Sequence, residues 1–292
     1  MKKEIKHNID LFVKDILGKT VKKNFKDVIY YTFNSINEFY NYLQNTPVNN
    51  FYKNKSVLQS GSTGLYAESF TKTKSYEEAV DLMKYGWTDG AKKITNKLKN
   101  LTKINCDELT RKQIYDVVGF NPSVPRYLQG IPTNMINQKL VRSKQKIVTI
   151  TKSIGFTGNI KAEQIIDESV KCLQIIKKIE QQGIRCNLNV CNVCAGNKDK
   201  IFVLKIRAKN STEKINISKL AFLMAHPSMK RRLVFKFTEL FEECDSNWDY
   251  YGSSLMKANE LKQFAEKNEI MLPSLVDFDV EEVKTLNDLI GK

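Results

Sequence analysis

The sequence predicts an α/β protein (α+β overall) with a mainly helical N-terminal half, followed by a small α/β sheet domain with a crossover helix. Before about residue 145, apolar residues recur every three to four positions in several segments, a spacing typical of helices. After residue 146 the order becomes strand, long helix, strand and strand, which favours an α/β sheet. We therefore divide the 292 residues into a basic helical region, 1–145, and a domain, 146–292, that ends in an acidic helical segment.

The N-terminal region is predicted to begin with a polar, charged helix and to contain further helices downstream. Ser35 stands three residues before Glu38, and Ser75 stands three residues before Glu78. This is the spacing of a capping box, in which the serine and glutamate side chains accept hydrogen bonds from backbone N–H groups at the start of a helix. Another helix is predicted over residues 89–101.

The C-terminal domain is predicted from a change in pattern. Residues 147–151, 184–194 and 201–206 are rich in apolar and β-branched side chains, which predicts three strands. Between the first two strands, apolar residues at helical spacing predict a helix over residues 161–182, and Gly183 is placed to end it. Further helices are predicted over residues 217–225, 229–243, 254–268 and 281–290.

The positive charge of the chain is unevenly distributed. The net charge is +15, yet residues 1–150 carry 25 basic and 13 acidic side chains, whereas residues 236–292 carry 6 basic and 13 acidic ones. The chain before residue 236 would attract a polyanion and its end would repel one, and nucleic acid is a common polyanionic partner. Codon usage in an AT-rich genome would produce a similar excess of lysine.

Clustered basic residues predict a nucleic-acid-binding surface. Three successive cations, at positions 230–232, stand at the start of a predicted helix, where they could hold a phosphate or lie on a solvated turn. Basic residues beside aromatic ones could neutralise phosphates while the rings stack on bases. The candidate residues are Lys22, Lys23, Lys26, Lys92, Lys93, Lys97, Arg126, Lys230, Arg231 and Arg232.

The sequence also contains candidates for a metal site and for catalysis. Cys186, Cys191 and Cys194 have the spacing Cys-x4-Cys-x2-Cys, which could supply thiolates to zinc, but they also lie in a predicted strand, where buried cysteines are ordinary. For His226, sequence spacing nominates no carboxylate or nucleophile as a catalytic partner. Glycine-rich nucleotide-binding motifs are missing. We therefore assign no catalytic residue, no bound metal and no cofactor.

The sequence contains no recognisable secretory signal or membrane-spanning segment. No run approaches 18 consecutive apolar residues, and the basic N-terminus is not followed by an apolar core. The six cysteines are then expected to be thiols rather than disulfides. We expect a soluble cytoplasmic protein without a membrane partner.

The C-terminal half resembles a degenerate von Willebrand A-type, Rossmann-like domain in its order of strand, small-residue turn and long helix ending at Gly183. Metal-binding members of that family end the first strand in Asp-x-Ser-x-Ser. Here residues 150–155 read Ile-Thr-Lys-Ser-Ile-Gly, without the aspartate, so the resemblance implies no metal. Residues 119–126 and 225–232 resemble stretches of uncharacterised bacteriophage and mobile-element proteins, which implies a phage origin.

Three functions are compatible with these features. The leading one is a phage-type protein that binds nucleic acid without catalysis through the basic surfaces of residues 1–235, with the acidic C-terminal segment limiting the binding. The second is a structural or assembly protein of the virion that uses the α/β domain to bind other phage proteins. The third is a metal-dependent enzyme acting on nucleic acid, for which Glu243, Asp245 and Asp249 are the nearest clustered acids.

Overall fold

A computed structural model of the protein shows helices and strands along the whole of its described length. It describes residues 1–14, 20–47, 67–99, 111–140, 147–156, 162–181, 184–195, 200–240, 253–254, 261–266 and 269–272. The strands are β1 (Lys2–Lys14), β2 (Thr20–Phe33), β3 (Arg111–Asp116), β4 (Asn121–Pro122), β5 (Met135–Leu140), β6 (Ile147–Ser153), β7 (Arg185–Ala195), β8 (Lys200–Lys209), β9 (Ser253–Ser254) and β10 (Glu269–Leu272). The helices are α1 (Ile36–Asn45), α2 (Glu68–Thr71), α3 (Tyr76–Tyr85), α4 (Thr88–Lys99), α5 (Val124–Leu128), α6 (Ala162–Gln181), α7 (Ile217–Ala225), a π-helical turn (Met229–Val234) and α8 (Phe235–Thr238).

The strands form two sheets. The larger sheet has the order β1-β2-β8-β7-β6-β10, and the short β9 pairs with β7. Its β1 and β2 form an antiparallel hairpin, β2 lies parallel to β8, β8 is antiparallel to β7, and β6 lies parallel to both β7 and β10. The smaller sheet is antiparallel and has the order β3-β5-β4.

The prediction of a mainly helical N-terminal half is wrong. The segment expected to be the first helix forms β1 and β2, and helices are spread through the described chain before and after residue 145. Along β1 the apolar residues Ile9 and Leu11 are two positions apart and pack in the same cluster, which suits the period of a strand. Its lysines are compatible with this position because β1 is an edge strand, where charge discourages pairing with other chains.

The larger sheet also joins strands from both sides of the proposed domain boundary. The first 33 residues contribute β1 and β2, and β2 pairs directly with β8. The boundary near residue 145 itself falls within residues 141–146, outside the described residues. The division into two domains stays a prediction.

Several local predictions are confirmed. The strands after residue 146 and the long helix between the first two of them form as β6, α6, β7 and β8, and α6 connects the parallel neighbours β6 and β7. Both predicted serines cap their helices: the Glu38 N–H donates to Ser35 Oγ at 3.1 Å, and the Glu78 N–H donates to Ser75 Oγ at 3.2 Å. The helices predicted at residues 254–268 and 281–290 fall mostly or wholly outside the described residues.

The two faces of the larger sheet are covered differently. On β8, Phe202 and Leu204 belong to a large core beneath α1, α3, α6 and α7, whereas the alternate residue Val203 belongs to a smaller cluster on the other face. Leu261 and Phe264 cover that smaller cluster. The rest of the second face is polar, and it is this part that forms a cavity. Among the described helices, none is long and apolar enough to cross a membrane.

Candidate functional site

The polar part of the second face arises from strand register. Residues paired on adjacent strands point to the same side of a sheet, and several such pairs are polar on both strands. They include Thr32 with Lys205, Arg207 with Asn189, Asn189 with Thr151, and Glu269 with Thr149. Hydrogen-bonding side chains therefore run across five strands, from β2 to β10.

A buried ion pair forms the centre of this polar patch. Lys205 Nζ lies 2.6 Å from Glu269 Oε2, and both side chains are 3% exposed. Thr151 Oγ1 donates to the other carboxylate oxygen, and the Glu266 N–H donates to Oε2 at 2.7 Å. Burial alone would raise the pKa of Glu269, but the hydrogen bonds from Lys205 and Thr151 outweigh burial and lower it. The charged carboxylate thus ties the backbone of Glu266 to the sheet.

A cavity of about 450 Å³ lies in front of the patch, between the N-terminal hairpin and residues 263–266. Beyond the central ion pair, Glu4 contributes a carboxylate that lies 3.0 Å from Lys2 Nζ and 3.8 Å from Lys6 Nζ. Tyr30 lines the same cavity, and burial raises the pKa of its hydroxyl, which is therefore neutral. The cavity combines paired charges with neutral hydrogen-bonding groups and one half-buried aromatic ring.

Arg207 differs from the other cations of this cavity. Its side chain is half-buried, and within the described part of the chain its guanidinium group makes no hydrogen bond or ion pair. Burial lowers its pKa, against the attraction of Glu269, Glu266 and Glu213. Arg207 and Asn34 also line a second cavity of about 310 Å³. The guanidinium group therefore stands where two adjoining cavities meet.

The predicted lysines of β2 and α4 are exposed and lie on separate elements. Lys22 pairs with Asp10 at 2.7 Å, and Lys23 Nζ lies 5.0 Å from the centroid of the Phe25 ring. Lys26 is also exposed. On α4, Lys92 Nζ lies 3.5 Å from Asp89, Lys97 pairs with Asp167, and Lys93 is exposed. These six residues are solvated, as a role in attracting nucleic acid requires, but none of them lines either of the two cavities described above.

The three successive cations at 230–232 are buried, which the sequence did not indicate. Lys230 Nζ donates to the Phe156 carbonyl, Arg231 Nη1 donates to the Phe70 carbonyl at 2.5 Å, and Arg232 donates to Thr73 Oγ1 at 2.7 Å and to the Thr73 carbonyl at 2.9 Å. Burial lowers the pKa of Lys230 to about 7. These side chains hold irregular segments against the π-helical turn. Their binding of nucleic acid stays a prediction.

Arg126 lies in the small-sheet module, which we define as residues 111–140. Its Nε donates to the Thr133 carbonyl at 2.9 Å, its Nη2 donates to Thr133 Oγ1 at 3.1 Å, and its guanidinium lies 4.3 Å from the centroid of the Tyr115 ring. These contacts attach α5 to the sheet. Arg126 thereby holds one face of an aromatic ring that is itself half exposed.

The small-sheet module exposes an unusual number of large apolar side chains. The rings of Tyr115, Phe120 and Tyr127 are 52%, 62% and 69% exposed. Aliphatic side chains are exposed beside them in the sequence, namely Val117, Val118, Val124 and Leu128. The module carries four basic residues and one acidic residue, a net charge of +3. Such a surface is suited to contact with another molecule. Arg126 was among the residues predicted from the sequence and these rings were not, although three aromatic residues within 13 positions beside prolines are a usable signal.

The candidate zinc ligands do not come together. On β7, Cys186 and Cys194 face the large core, whereas Cys191 faces the smaller cluster on the opposite side of the sheet. Three sulfur atoms so placed cannot reach one ion, and burial raises the pKa of each thiol to about 12. No group of three or more potential metal ligands occurs within the described parts of the chain. Glu243, Asp245 and Asp249 lie outside the described residues.

His226 is part of the core. Its Nδ1 accepts a hydrogen bond from the Ser228 N–H at 3.2 Å and lies 2.7 Å from Ser228 Oγ. Its ring stacks on Phe222 and meets the edge of Trp87. Burial lowers the pKa of His226 to about 4, so the imidazole is neutral at physiological pH. These contacts give His226 a structural role at the end of α7.

Comparison with known proteins places almost the whole chain in one family model. The model is described as a domain of unknown function, DUF7192, and it matches residues 12–289. A search of curated proteins and a search of solved structures each found no match.

Proposed function

The chain belongs to the DUF7192 family, a domain of unknown function, and we propose that it binds single-stranded nucleic acid without catalysis. We assign the binding surface to the small-sheet module. The proposal depends on one observation: Tyr115, Phe120 and Tyr127 are more than half exposed in a module of net charge +3.

Exposed aromatic rings are costly in water and are suited to stacking on bases. Each base that stacks on an aromatic side chain contributes about 1–3 kcal/mol, and every base has a face that can stack. Arg126 adds a cation beside Tyr115, where it supports a stacked base through its charge. Stacking requires unpaired bases, and therefore the proposal specifies a single strand rather than a duplex.

The exposed lysines elsewhere on the chain fit the same proposal in a secondary role. Lys22, Lys26 and Lys93 are solvated, and solvated cations attract phosphates regardless of base sequence. Their contribution weakens as salt rises, whereas the stacking contribution depends less on salt. We therefore expect binding that falls with salt but retains a dependence on the aromatic rings.

Fluorescence anisotropy of a labelled oligothymidylate, titrated at several salt concentrations, tests the proposal. Tyr127→Ala should weaken binding by about 1–3 kcal/mol, or roughly 5- to 150-fold. Tyr85→Ala is the matched control, because Tyr85 is a 78% exposed tyrosine on α3, outside the module. Absence of binding at low salt, or equal losses in the two variants, would overturn the proposal.

A second candidate function is supported by the four exposed aliphatic residues of the same module. Val117, Val118, Val124 and Leu128 cannot stack on bases or pair with phosphates, and exposed apolar groups of this kind mark protein-binding surfaces. This observation favours an assembly protein, with the contact made by the small-sheet module. Leu128→Ser would then reduce self-association or co-purification with partner proteins while leaving oligothymidylate binding unchanged.

We also propose the other properties that the sequence predicts. They are a phage origin, a resemblance to von Willebrand A-type domains, a cytoplasmic location, other phage proteins as partners, and an acidic C-terminal segment that limits nucleic-acid binding. The last of these follows from the charge of residues 236–292 alone.

A further inference from the structure

We infer that the two adjoining cavities of the larger sheet form a binding site for a nucleoside monophosphate, with its phosphate against Arg207 and its base beside Tyr30. This site is separate from the small-sheet module and does not depend on the function proposed for it. The cavities measure about 450 and 310 Å³ and share Arg207 and Asn34. These volumes fall within the usual range for small-molecule sites.

Arg207 is the group that specifies an anion. Its guanidinium group is half-buried and makes no hydrogen bond or ion pair among the described residues, so its donors are available where the cavities meet. A guanidinium group can donate two parallel hydrogen bonds to a phosphate. Lys214 and Lys219 also line the second cavity, and its carboxylate Glu213 already accepts hydrogen bonds from Asn210. The second cavity therefore favours the charged end of a ligand.

The first cavity is lined by paired charges and neutral polar groups, and this lining indicates what the uncharged end of the ligand is. Its cations are matched by nearby carboxylates: Lys205 pairs with Glu269, and Glu4 lies close to both Lys2 and Lys6. Neutral groups that donate and accept hydrogen bonds complete the lining, among them Thr149 and Asn189. A second strong anion would find little uncompensated positive charge there. A neutral group rich in donors and acceptors would find many partners.

Tyr30 narrows the class of that neutral group. The Tyr30 ring lines the first cavity and is half-buried, and Lys6 Nζ lies 4.7 Å from its centroid. Lys6 therefore covers part of one ring face, and the remaining aromatic surface at the wall of the polar cavity favours a planar, hydrogen-bonding partner. A nucleobase joined through a sugar to one phosphate combines all three features. A sugar phosphate has no planar group, and a free base has no anion.

Isothermal titration calorimetry with AMP, CMP, GMP and UMP tests the inference, with ribose 5-phosphate and inorganic phosphate as probes that lack a base. Arg207→Gln should weaken the best nucleotide about 10- to 100-fold, since it removes hydrogen bonds from a charged group. Tyr30→Leu should weaken nucleotides but not inorganic phosphate. Lys171→Gln is the control, an exposed cation on α6, and should change nothing.

The remaining outcomes are also decisive. If no nucleotide binds, or if Arg207→Gln binds as well as the unchanged protein, the inference is wrong. Equal affinity for nucleotides and inorganic phosphate would show that the base does not contribute to binding, and the inference would then be wrong. If Arg207→Gln does not fold, Arg207→Lys replaces it in the test. Arg207→Lys keeps the positive charge but loses the paired donors, so it should also weaken nucleotide binding. A protein with Tyr127→Ala should bind nucleotides normally, which separates this inference from the proposed function.

Discussion

In the small-sheet module large apolar side chains face solvent, whereas in the cavity of the larger sheet charged side chains are buried. Tyr127 is 69% exposed on α5, and Lys205 and Glu269 are each 3% exposed beneath the cavity. The module offers its exposed rings directly to solvent. The cavity is walled by the hairpin and by residues 263–266 and offers hydrogen bonds that are already oriented.

This difference indicates two kinds of ligand. An open aromatic surface accommodates any base of a long flexible strand, because stacking is tolerant of sequence. A closed polar cavity selects a small molecule by the position of its donors and acceptors. The two regions therefore predict opposite patterns of loss when each is mutated.

The largest expected effect is the loss of oligonucleotide binding when Tyr115, Phe120 and Tyr127 are all changed to alanine. Three rings at about 1–3 kcal/mol each would reduce affinity by at least two orders of magnitude. The same protein should keep its affinity for nucleoside monophosphates, measured by calorimetry. Arg207→Gln should show the reverse pattern. If both variants lose both ligands, the two surfaces are not independent.

The next largest effect concerns the ion pair under the cavity. Lys205→Met would leave the Glu269 carboxylate buried without its cation, and breaking a buried pair in this way costs about 3–5 kcal/mol of stability. Urea unfolding followed by circular dichroism measures the loss. Lys97→Met removes an ion pair with the exposed Asp167 and serves as the control. Similar stabilities for the two variants would show that the Lys205–Glu269 pair does not hold the cavity wall.

Lys230 should make stability depend on pH. Because burial lowers its pKa to about 7, the unfolded chain binds more protons than the folded protein between about pH 7 and the ordinary lysine pKa. Its contribution to stability therefore rises with pH across that window. Lys230→Met should flatten the rise, as measured by urea unfolding at pH 7, 8 and 9. An unchanged slope would mean that Lys230 is solvated and accessible to a phosphate.

The smallest effect is expected from the acidic end of the chain. Changing Asp277, Asp279, Glu281 and Glu282 to their amides removes four negative charges. If these charges repel nucleic acid, affinity for oligothymidylate should rise a few-fold at low salt, and the gain should shrink as salt screens the repulsion. If the amide variant and the unchanged protein bind oligothymidylate equally well at low salt, this segment does not inhibit binding.

Local signals in the sequence predicted local structure well. Ser35 and Ser75 both cap helices, since a capping box depends on residues only three positions apart. The strand β1 was missed because its lysines suggest a solvated helix, whereas its pairing with β2 and the link from β2 to β8 depend on distant residues. The intrinsic preference of residues for strand or helix is a weak guide where pairing with distant residues determines whether a strand forms.

The candidate sites were harder to predict for the same reason. The run at 230–232 predicted an exposed cluster, but Phe70, Phe156 and Thr73 lie far away in sequence and supply the carbonyls that bury it. Arg207 stands alone in the sequence, and nothing near it indicates that two cavities meet at its side chain. Because the residues of this site come from five strands, they are far apart in the sequence and form no short motif.

Nucleic-acid binding by the small-sheet module can be tested by crosslinking a photoreactive oligothymidylate to the full chain and identifying the crosslinked peptides by mass spectrometry. We expect crosslinks concentrated in residues 111–140, at or beside Tyr115, Phe120 and Tyr127, because these rings are proposed to contact the bases. Crosslinks that fall instead on β2 around Lys22 and Lys26, or on α4 around Lys92 and Lys93, would contradict it.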